Sequence, residues 1–302
     1  MDRPRLALAL GGGAVRGVAH LGVLRALEEA GLRADVIAGT SSGAIVGLLH
    51  ALERDGIIER VQPTDVIEAL GAKHYEGLDA LLNARNNRSL ARRLTDLSSL
   101  RQLALTGWRN PSVATLEPVR RGLLALTGAE LRFQDLSLPL AFVASDVRLG
   151  ERVVLHSGSV VEAALASSAV PGVFEPRLLN GRWLVDGNVT DNVPADVARE
   201  LLGETIGVVV AVNVAFDDRP AALPRNALEA VARAGDIAKN LLVNLALRSA
   251  DVVINVGPET PGGVFEAGRA TELFIGGLNA GRAAIPGLLA RLGVPALETV
   301  HG

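Results

Sequence analysis

The chain has 302 residues, a length that one α/β domain can reach, and 49% of them are hydrophobic, enough for a large core. Its formal net charge is −3 at pH 7, so no strong field draws it toward nucleic acid, and we predict no nucleic-acid partner. It contains no cysteine, which excludes disulfides and thiolate metal ligands.

The N-terminal segment has two interpretations. Arg3 and Arg5 precede the apolar run 6–10, as in a short signal peptide, but three glycines interrupt that run at once. We therefore expect residues 5–10 to form a buried strand of the fold. No uninterrupted apolar run reaches the roughly 18–20 residues that a membrane-spanning helix needs, and we predict a cytoplasmic protein.

Strand and helix patterns alternate through the first fifty residues. After the strand at 5–10, apolar residues recur every three positions between Gly17 and Ala30, which predicts an amphipathic helix. A strand at 35–38 and a helix at 42–54 follow, and this alternation indicates a parallel sheet with helices on its faces. Later patterns predict strands at 139–147, 151–156, 205–215 and 251–256, and helices at 159–168 and 225–249. We predict one domain over residues 1–302.

Residues 57–130 look mainly helical and carry no catalytic motif. Within them, the arginine-rich segment 85–109 alternates basic residues with leucines. A basic amphipathic helix can lie on an anionic membrane surface, or it can cover a site as a lid. The alternative is a solvated helix face on a packed core. We predict a helical insertion, and these interpretations of its basic face stay open.

Gly39-Thr40-Ser41-Ser42-Gly43 has the Gly-x-Ser-x-Gly spacing of a nucleophile turn. Small residues let a strand turn sharply into a helix, which lifts the serine hydroxyl clear of the sheet. The same turn points the N–H groups of the helix N-terminus at the reaction centre. The strand before it and the helix after it favour Ser41 as a nucleophile. The alternative is that Ser41 and Ser42 only cap the helix.

The segment 11–17, Gly-Gly-Gly-Ala-Val-Arg-Gly, joins the first strand to the first helix. Such a loop presents backbone N–H groups to an anion, either a phosphate or the oxyanion of acyl transfer. The dinucleotide fingerprint Gly-x-Gly-x-x-Gly fits poorly, because it ends on Arg16 when counted from Gly11 and meets Ala14 when counted from Gly12. No Gly-Lys-Ser/Thr follows, which excludes a P-loop. The alternative is a tight turn for close packing of the helix on the sheet.

Asp186-Gly187-Asn188 follows a short apolar segment, which brings an aspartate to the end of a predicted strand. A catalytic serine needs a base, and among the histidines only His301 follows Asp186 as a Ser–acid–His order requires. A chain terminus is a poor place for a rigid catalytic group, so a Ser41–Asp186 dyad fits better. The alternative is that Asp-Gly only forms a turn. Since aspartate is a weak base, we expect burial to raise the pKa of Asp186.

In this order, the three segments resemble the patatin-like phospholipase family, of the bacterial type. The family's glycine-rich box is matched at 11–17, its nucleophile box at 39–43 and its Asp-Gly box at 186–187. Further similar segments lie at 144–146, 150–151, 166–176 and 192–194. The resemblance extends over residues 5–215 and is weak at 57–130 and after 216.

The resemblance implies a three-layer α/β/α fold with a central mainly parallel sheet, and hydrolysis of lipid acyl esters without a metal or another cofactor. Ser41 would attack the ester carbonyl, and Asp186 would take its proton and later activate water. The amides of Gly12 and Gly13, helped by Ser42, would hold the oxyanion. The other implied site residues are Gly11, Arg16 and Gly17 of the loop, and Gly39, Gly43, Gly187 and Asn188 of the two turns.

The expected partner is a lipid or acyl-ester substrate, together with peripheral contact to a membrane. Asn188 departs from the family pattern, in which glycine or alanine usually follows Asp-Gly. The alternative function is therefore a catalytically weak regulatory or adaptor protein on the same fold. The broken glycine fingerprint disfavours a nucleotide-binding oxidoreductase, and acyl transfer would differ from hydrolysis only in the acceptor.

Overall fold

The computed structural model describes residues 4–75, 112–128, 130–216, 223–225, 227–257 and 266–293. Its centre is an eight-stranded sheet. Hydrogen-bonded pairing connects the strands as β5-β6-β3-β2-β1-β7-β8, and β4 also pairs with β3. The strands are β1 (Arg5–Leu10), β2 (Val36–Thr40), β3 (Leu140–Asp146), β4 (Glu151–Leu155), β5 (Arg177–Leu179), β6 (Arg182–Asp186), β7 (Gly207–Asn213) and β8 (Val252–Asn255). Strands β1, β2, β3, β7 and β8 run parallel, whereas β4, β5 and β6 make antiparallel pairs.

Helices cover both faces of this sheet. The described α-helices are α1 (Val18–Glu29), α2 (Ser42–Arg54), α3 (Pro63–Ala69), α4 (Glu117–Thr127), α5 (Val160–Ser167), α6 (Ala195–Leu202), α7 (Ala227–Ala246) and α8 (Ala270–Leu292). Apolar residues of α1, α2, α5 and α8 form the larger core with one face of the sheet. Those of α6, with Val243 of α7, form a smaller core with the other face. The predicted α/β/α fold with a mainly parallel sheet is confirmed.

Strand β1 shows how the sequence encodes a strand covered on both sides. Leu6, Leu8 and Leu10 belong to the larger core, whereas Ala7 and Ala9 belong to the smaller one. Successive side chains of a strand point to opposite faces, so a strand buried on both faces is a continuous apolar run. The strand expected at residues 5–10 is confirmed.

The pairing of β3 brings the carboxyl ends of β2 and β6 together. Strand β4 occupies one edge of β3 along residues 142–146, so β2 and β6 must share the other edge. On that edge Thr40, the last residue of β2, pairs with Val143, and Asp186, the last residue of β6, pairs with Ala144. The two strands meet end to end, and the residue after Thr40 therefore lies close to Asp186.

The helices α1 and α8 approach each other through glycines. A methyl group on Gly277 of α8 would overlap the carbonyl oxygen of Ala19, and one on Gly22 of α1 would overlap that of Phe274. Among the described residues, the stretch 267–292 is long and apolar enough to cross a membrane by length and composition alone. In this fold that stretch packs along α1 instead, at backbone contact.

The strands and helices predicted outside residues 57–130 are all present, with ends displaced by at most a few residues. The predicted helical region 57–130 is described near its two ends, where α3 and α4 lie. Its arginine-rich segment 85–109 lies outside the described residues, so the predictions of a lid or a membrane-facing helix stay predictions.

Candidate active site

Ser41 lies on a sharp turn between β2 and α2, with φ 54° and ψ −122°. A non-glycine residue in this region costs about 1–3 kcal/mol, so the surrounding structure must hold it there. Ser41 occupies the N-cap position of α2, but its side chain makes no capping hydrogen bond. Ser41 therefore does not cap α2 through its side chain.

Two close approaches of glycine hold this turn. A side chain on Gly43 would overlap the carbonyl oxygen of Leu10 in β1, because the start of α2 lies directly against that strand. A Cβ on Gly39 would lie 2.7 Å from the Cα of Ala44, inside the same turn. Neither glycine has a positive φ. Both are therefore required by space, as the motif spacing predicted, and not by an unusual backbone angle.

Ser167, which the sequence analysis did not assign to the site, also holds the turn. The backbone N–H of Ser41 donates to Ser167 Oγ at 2.8 Å, and that hydroxyl donates to the carbonyl oxygen of Val143 at 2.6 Å. Ser167 is fully buried at the end of α5. It therefore bonds the strained residue to the neighbouring strand, and only the packing of α5 on the sheet reveals this contact.

Asp186 is buried, with 2% of its surface exposed, and its carboxylate faces the turn of Ser41. The Oδ1 atom accepts the backbone N–H of Asn188 at 2.8 Å, and the Ser41 side chain lies close enough to the same carboxylate to act on its pKa. Burial raises the pKa of Asp186 from 3.8 to about 6, while the bond from Asn188, the nearby Ser41 side chain and the charge of Lys239 oppose this rise. The carboxylate is thus a stronger base than a solvated one, and it remains ionised at neutral pH.

The turn after Asp186 tolerates the asparagine that departs from the family pattern. Residues 187–189 form a short 3-10 turn, and Asn188 does not have a positive φ. A side chain on Gly187 would overlap the carbonyl oxygen of Val143, so this glycine is required by close packing. Asn188 contributes its backbone N–H to Asp186, and any residue except proline could do the same.

The glycine loop packs directly against Ser41. A Cβ on Gly12 would lie 3.1 Å from Ser41 Cβ, and one on Gly17 would lie 2.5 Å from Ser42 Cβ. Substitutions at either glycine would therefore push into the serine turn. The sequence interpretation of this loop as a close partner of the nucleophile agrees with these contacts.

The N–H groups of the loop already have acceptors within the protein. Gly11 donates to the carbonyl oxygen of Val212, Gly12 to the backbone oxygen and Oδ1 of Asn192, and Gly13 to Ser42 Oγ. The first N–H groups of α2, at Ser42 and Gly43, have no acceptor within their own helix and lie next to Ser41. Of the three loop amides, that of Gly13 has the acceptor that rotates most easily, a hydroxyl.

Arg16 and His20 support the loop from outside the serine turn. Arg16 lines a narrow crevice together with Val214, Val256 and Glu272, toward α8. The His20 ring is buried, its Nε2 bonds to the carbonyl oxygen of Gly11 at 2.7 Å, and burial lowers its pKa to about 4. At neutral pH the ring is therefore uncharged, and its Nε2–H donates to the loop.

The other described histidines are not among the contacts of Ser41 and Asp186 given above. His50 is near Glu28, and His74 and His156 are exposed. His301 lies outside the described residues. Within the described part of the chain, no three histidine or acidic side chains come together as metal ligands.

Comparison with known proteins decides the family. The family model described as "Patatin-like phospholipase" matches residues 8–199, which include the end of β1, the glycine loop, Ser41 and Asp186. The chain belongs to the patatin-like phospholipase family. Membership supports lipid hydrolase activity in general terms, and it confirms the resemblance found in the sequence.

Relatives of this family member occur in animals and bacteria. A patatin-like phospholipase domain-containing protein of Caenorhabditis elegans is 33% identical over 199 residues, which are 65% of this chain and 13% of that protein. An NTE family protein of Mycobacterium tuberculosis is 33% identical over 216 residues, 70% of this chain and 49% of its own length. Patatin-like phospholipase domain-containing protein 6 of Homo sapiens is 29% identical over 222 residues, 70% of this chain and 14% of its own. The chain thus spans about half or less of these relatives.

Among solved structures, VipD from Legionella pneumophila matches with a TM-score of 0.44 and 16% identity, over 95% of this chain and 67% of that chain.

Proposed function

We propose that this patatin-like protein is a serine lipid acyl hydrolase, a carboxylic ester hydrolase that uses Ser41 as nucleophile and Asp186 as base. The observation that carries the proposal is the strained, 7% exposed Ser41, whose side chain lies beside a buried carboxylate with a raised pKa. Backbone strain at a serine and a carboxyl pKa close to neutral both lower the stability of the fold. Such costly features cluster at catalytic sites, where they serve the reaction. The proposed substrate is a lipid or another acyl ester.

In the proposed reaction Ser41 Oγ attacks the ester carbonyl carbon while its proton passes to Asp186. The resulting tetrahedral oxyanion collapses, the alcohol leaves with the proton from Asp186, and an acyl-serine remains. Asp186 then takes a proton from water, which attacks the acyl-serine. When this second tetrahedral oxyanion collapses, Asp186 returns the proton to Ser41 Oγ, which releases the carboxylic acid and free Ser41. An acyl transferase would use another alcohol in place of that water.

The N–H groups of Ser42 and Gly13 are the proposed oxyanion donors. Ser42 follows the nucleophile and begins α2, where the positive end of the helix dipole stabilises negative charge. Since Gly13 N–H now donates to Ser42 Oγ, the oxyanion would replace that hydroxyl as its acceptor. The Gly12 N–H is held by Asn192, so in this proposal Gly12 provides close approach and does not donate.

A fluorescent fluorophosphonate tests the proposal, because it reacts with activated serines. We expect wild-type protein to be labelled, Ser41→Ala to lose the label and Asp186→Asn to react about 100-fold more slowly, the usual contribution of a general base. Circular dichroism of all three proteins checks folding. Folded wild-type protein that takes no label would contradict the enzyme assignment and favour the regulatory or adaptor alternative.

The cytoplasmic location is a further proposal. Cell fractionation with an antibody to the chain would test it.

A further inference from the structure

Helix α7, residues Ala227–Ala246, faces the solvent with its apolar side. The residues Val231, Ile237, Leu241, Leu242 and Leu245 are 71%, 47%, 60%, 40% and 54% exposed. They recur at the three- and four-residue spacing that places side chains on one face of a helix. We call this surface, with the exposed Ala234 and Ala238 between them, the outer face of α7.

The charged residues of α7 avoid this outer face. Glu229, Arg233, Asp236 and Lys239 are only partly exposed, and they lie on the side of the helix that turns toward the protein. A surface helix of a soluble protein normally has the opposite orientation, with its apolar stripe inward. Only Val243 of the described α7 side chains is buried in the core. The inverted orientation therefore needs an apolar partner outside the described fold.

The position of α7 relates the outer face to the proposed dyad. Lys239, on the inner side, is close enough to Asp186 for its charge to act on the carboxylate. Val189, in the turn that follows Asp186, is itself 50% exposed. An apolar surface that docks on α7 would thus be brought to the side of the molecule that holds Asp186.

The charges at the two ends of the face fit a lipid surface. The Arg225 side chain, just before α7, is 59% exposed and pairs with Glu229 at 2.8 Å, and Arg248, just after α7, is exposed as well. A helix with an uncharged apolar face and arginines beside it can lie flat at the boundary between lipid headgroups and acyl chains. Arginines there also attract anionic headgroups.

We propose that the outer face of α7 docks the protein on a lipid bilayer and presents the Ser41–Asp186 site to substrate in that bilayer. This inference rests on the proposed function for the role of the site, but the docking itself does not depend on catalysis. It assigns membrane contact to α7, and not to the arginine-rich segment 85–109 that the sequence suggested.

The test uses the full chain and vesicles of phosphatidylcholine with 30 mol% phosphatidylserine. The variants are Leu241→Glu and, as a matched control, Ile206→Glu, because Ile206 is 84% exposed and lies before β7, outside α7. We expect Leu241→Glu to lower the fraction of protein that floats with vesicles at least tenfold, and Ile206→Glu to leave it unchanged. Hydrolysis of vesicle phospholipid should fall by a similar factor, while kcat/KM for a water-soluble short-chain ester stays within about twofold.

Other outcomes would overturn the proposal. Equal flotation of Leu241→Glu and wild type would mean that another surface binds lipid. If light scattering gives a dimer for wild type and a monomer for Leu241→Glu, a second copy of the chain covers the outer face. Vesicle binding that depends on Leu241 without hydrolysis of either ester would leave docking intact and contradict the proposed function instead.

Discussion

Burial gives Asp186 two properties that can be measured separately. It raises the pKa of the carboxyl to about 6, which makes the group a better base, and it makes the ionised form unfavourable in the folded protein. The first property concerns the rate of catalysis and the second concerns the free energy of unfolding. Both follow from one residue, and each has its own dependence on pH.

The rate of ester hydrolysis should fall in acid as Asp186 becomes protonated. For a soluble ester we expect kcat/KM to be constant above about pH 7 and to decrease tenfold per pH unit below a midpoint near 6. The measurement is a pH–rate profile from pH 4.5 to 8.5, with circular dichroism at each pH to exclude unfolding. A flat profile between pH 5 and 7 would contradict the role of Asp186 as base.

The substitution Asp186→Asn should stabilise the folded protein at neutral pH. Because the folded pKa of about 6 lies above the ordinary value of 3.8, the charged group destabilises the fold by up to about 3 kcal/mol above pH 6. This penalty disappears as the pH falls toward 3.8. We therefore expect Asp186→Asn to raise the free energy of unfolding by about 1–3 kcal/mol at pH 7.5 and by much less at pH 4.5.

Urea titrations of the variant and the wild type at both pH values measure this difference. His20, whose pKa is lowered by burial, destabilises both proteins equally as the pH falls below its ordinary value, so its contribution cancels in the comparison. A lower stability of Asp186→Asn at pH 7.5 would show that its carboxylate stabilises the fold.

The sequence predicted the reacting residues but not what holds them. Ser41 and Asp186 could be found because each belongs to a short motif with a physical reason for its spacing. Ser167 and Asn192 could not be assigned roles, because their bonds to Ser41 and Gly12 join residues more than 120 positions apart. The family departure at Asn188 needs no unusual backbone, since its turn is a 3-10 turn.

At the scale of elements, the contact between α5 and the serine turn depends on one hydroxyl. Removing it by Ser167→Ala leaves the N–H of Ser41 and the carbonyl of Val143 buried without partners, which costs about 1–3 kcal/mol. It also releases the strained turn, and a misplacement of about 1 Å can reduce a rate about 100-fold. We expect a tenfold to 100-fold loss of kcat for a soluble ester.

The matched control is the next residue, Ser168→Ala. Ser168 Oγ is buried and has no hydrogen-bond partner, so its removal should leave activity unchanged and stability equal or slightly higher. Thermal unfolding and steady-state kinetics on both variants give the comparison. Similar effects of the two substitutions would mean that α5 acts by packing alone.

Most elements could be predicted because the periodicity of their apolar residues marks them. The others were missed for physical reasons. Strand β5 is three residues long, too short for a clear pattern. Helix α8 contains glycines and a proline at residue 286, which weaken a helical pattern, yet its glycines permit the close contact with α1. The end-to-end meeting of β2 and β6 follows from pairing with β3, which no local pattern reveals.

For the whole molecule, the contact of α1 with α8 joins the beginning of the described chain to its end. Because these helices share the larger core with the sheet, we expect the predicted single domain to unfold in one cooperative transition. A substitution at their contact should shift that transition as a whole. A separate early transition would indicate that α8 unfolds independently of the sheet.

Gly277→Ala and Gly287→Ala test this expectation as a pair within α8. The methyl group at 277 would overlap the carbonyl oxygen of Ala19 and force the helices apart, which should destabilise the protein by about 1–3 kcal/mol. At position 287 no atom lies within 4 Å of the new Cβ, so the higher helix propensity of alanine should stabilise it by about 0.5–1 kcal/mol. Urea unfolding followed by circular dichroism measures both. Labelling of Ser41 should survive in folded Gly277→Ala. Opposite shifts of one shared transition would show that α8 is an integral part of the domain that holds the site.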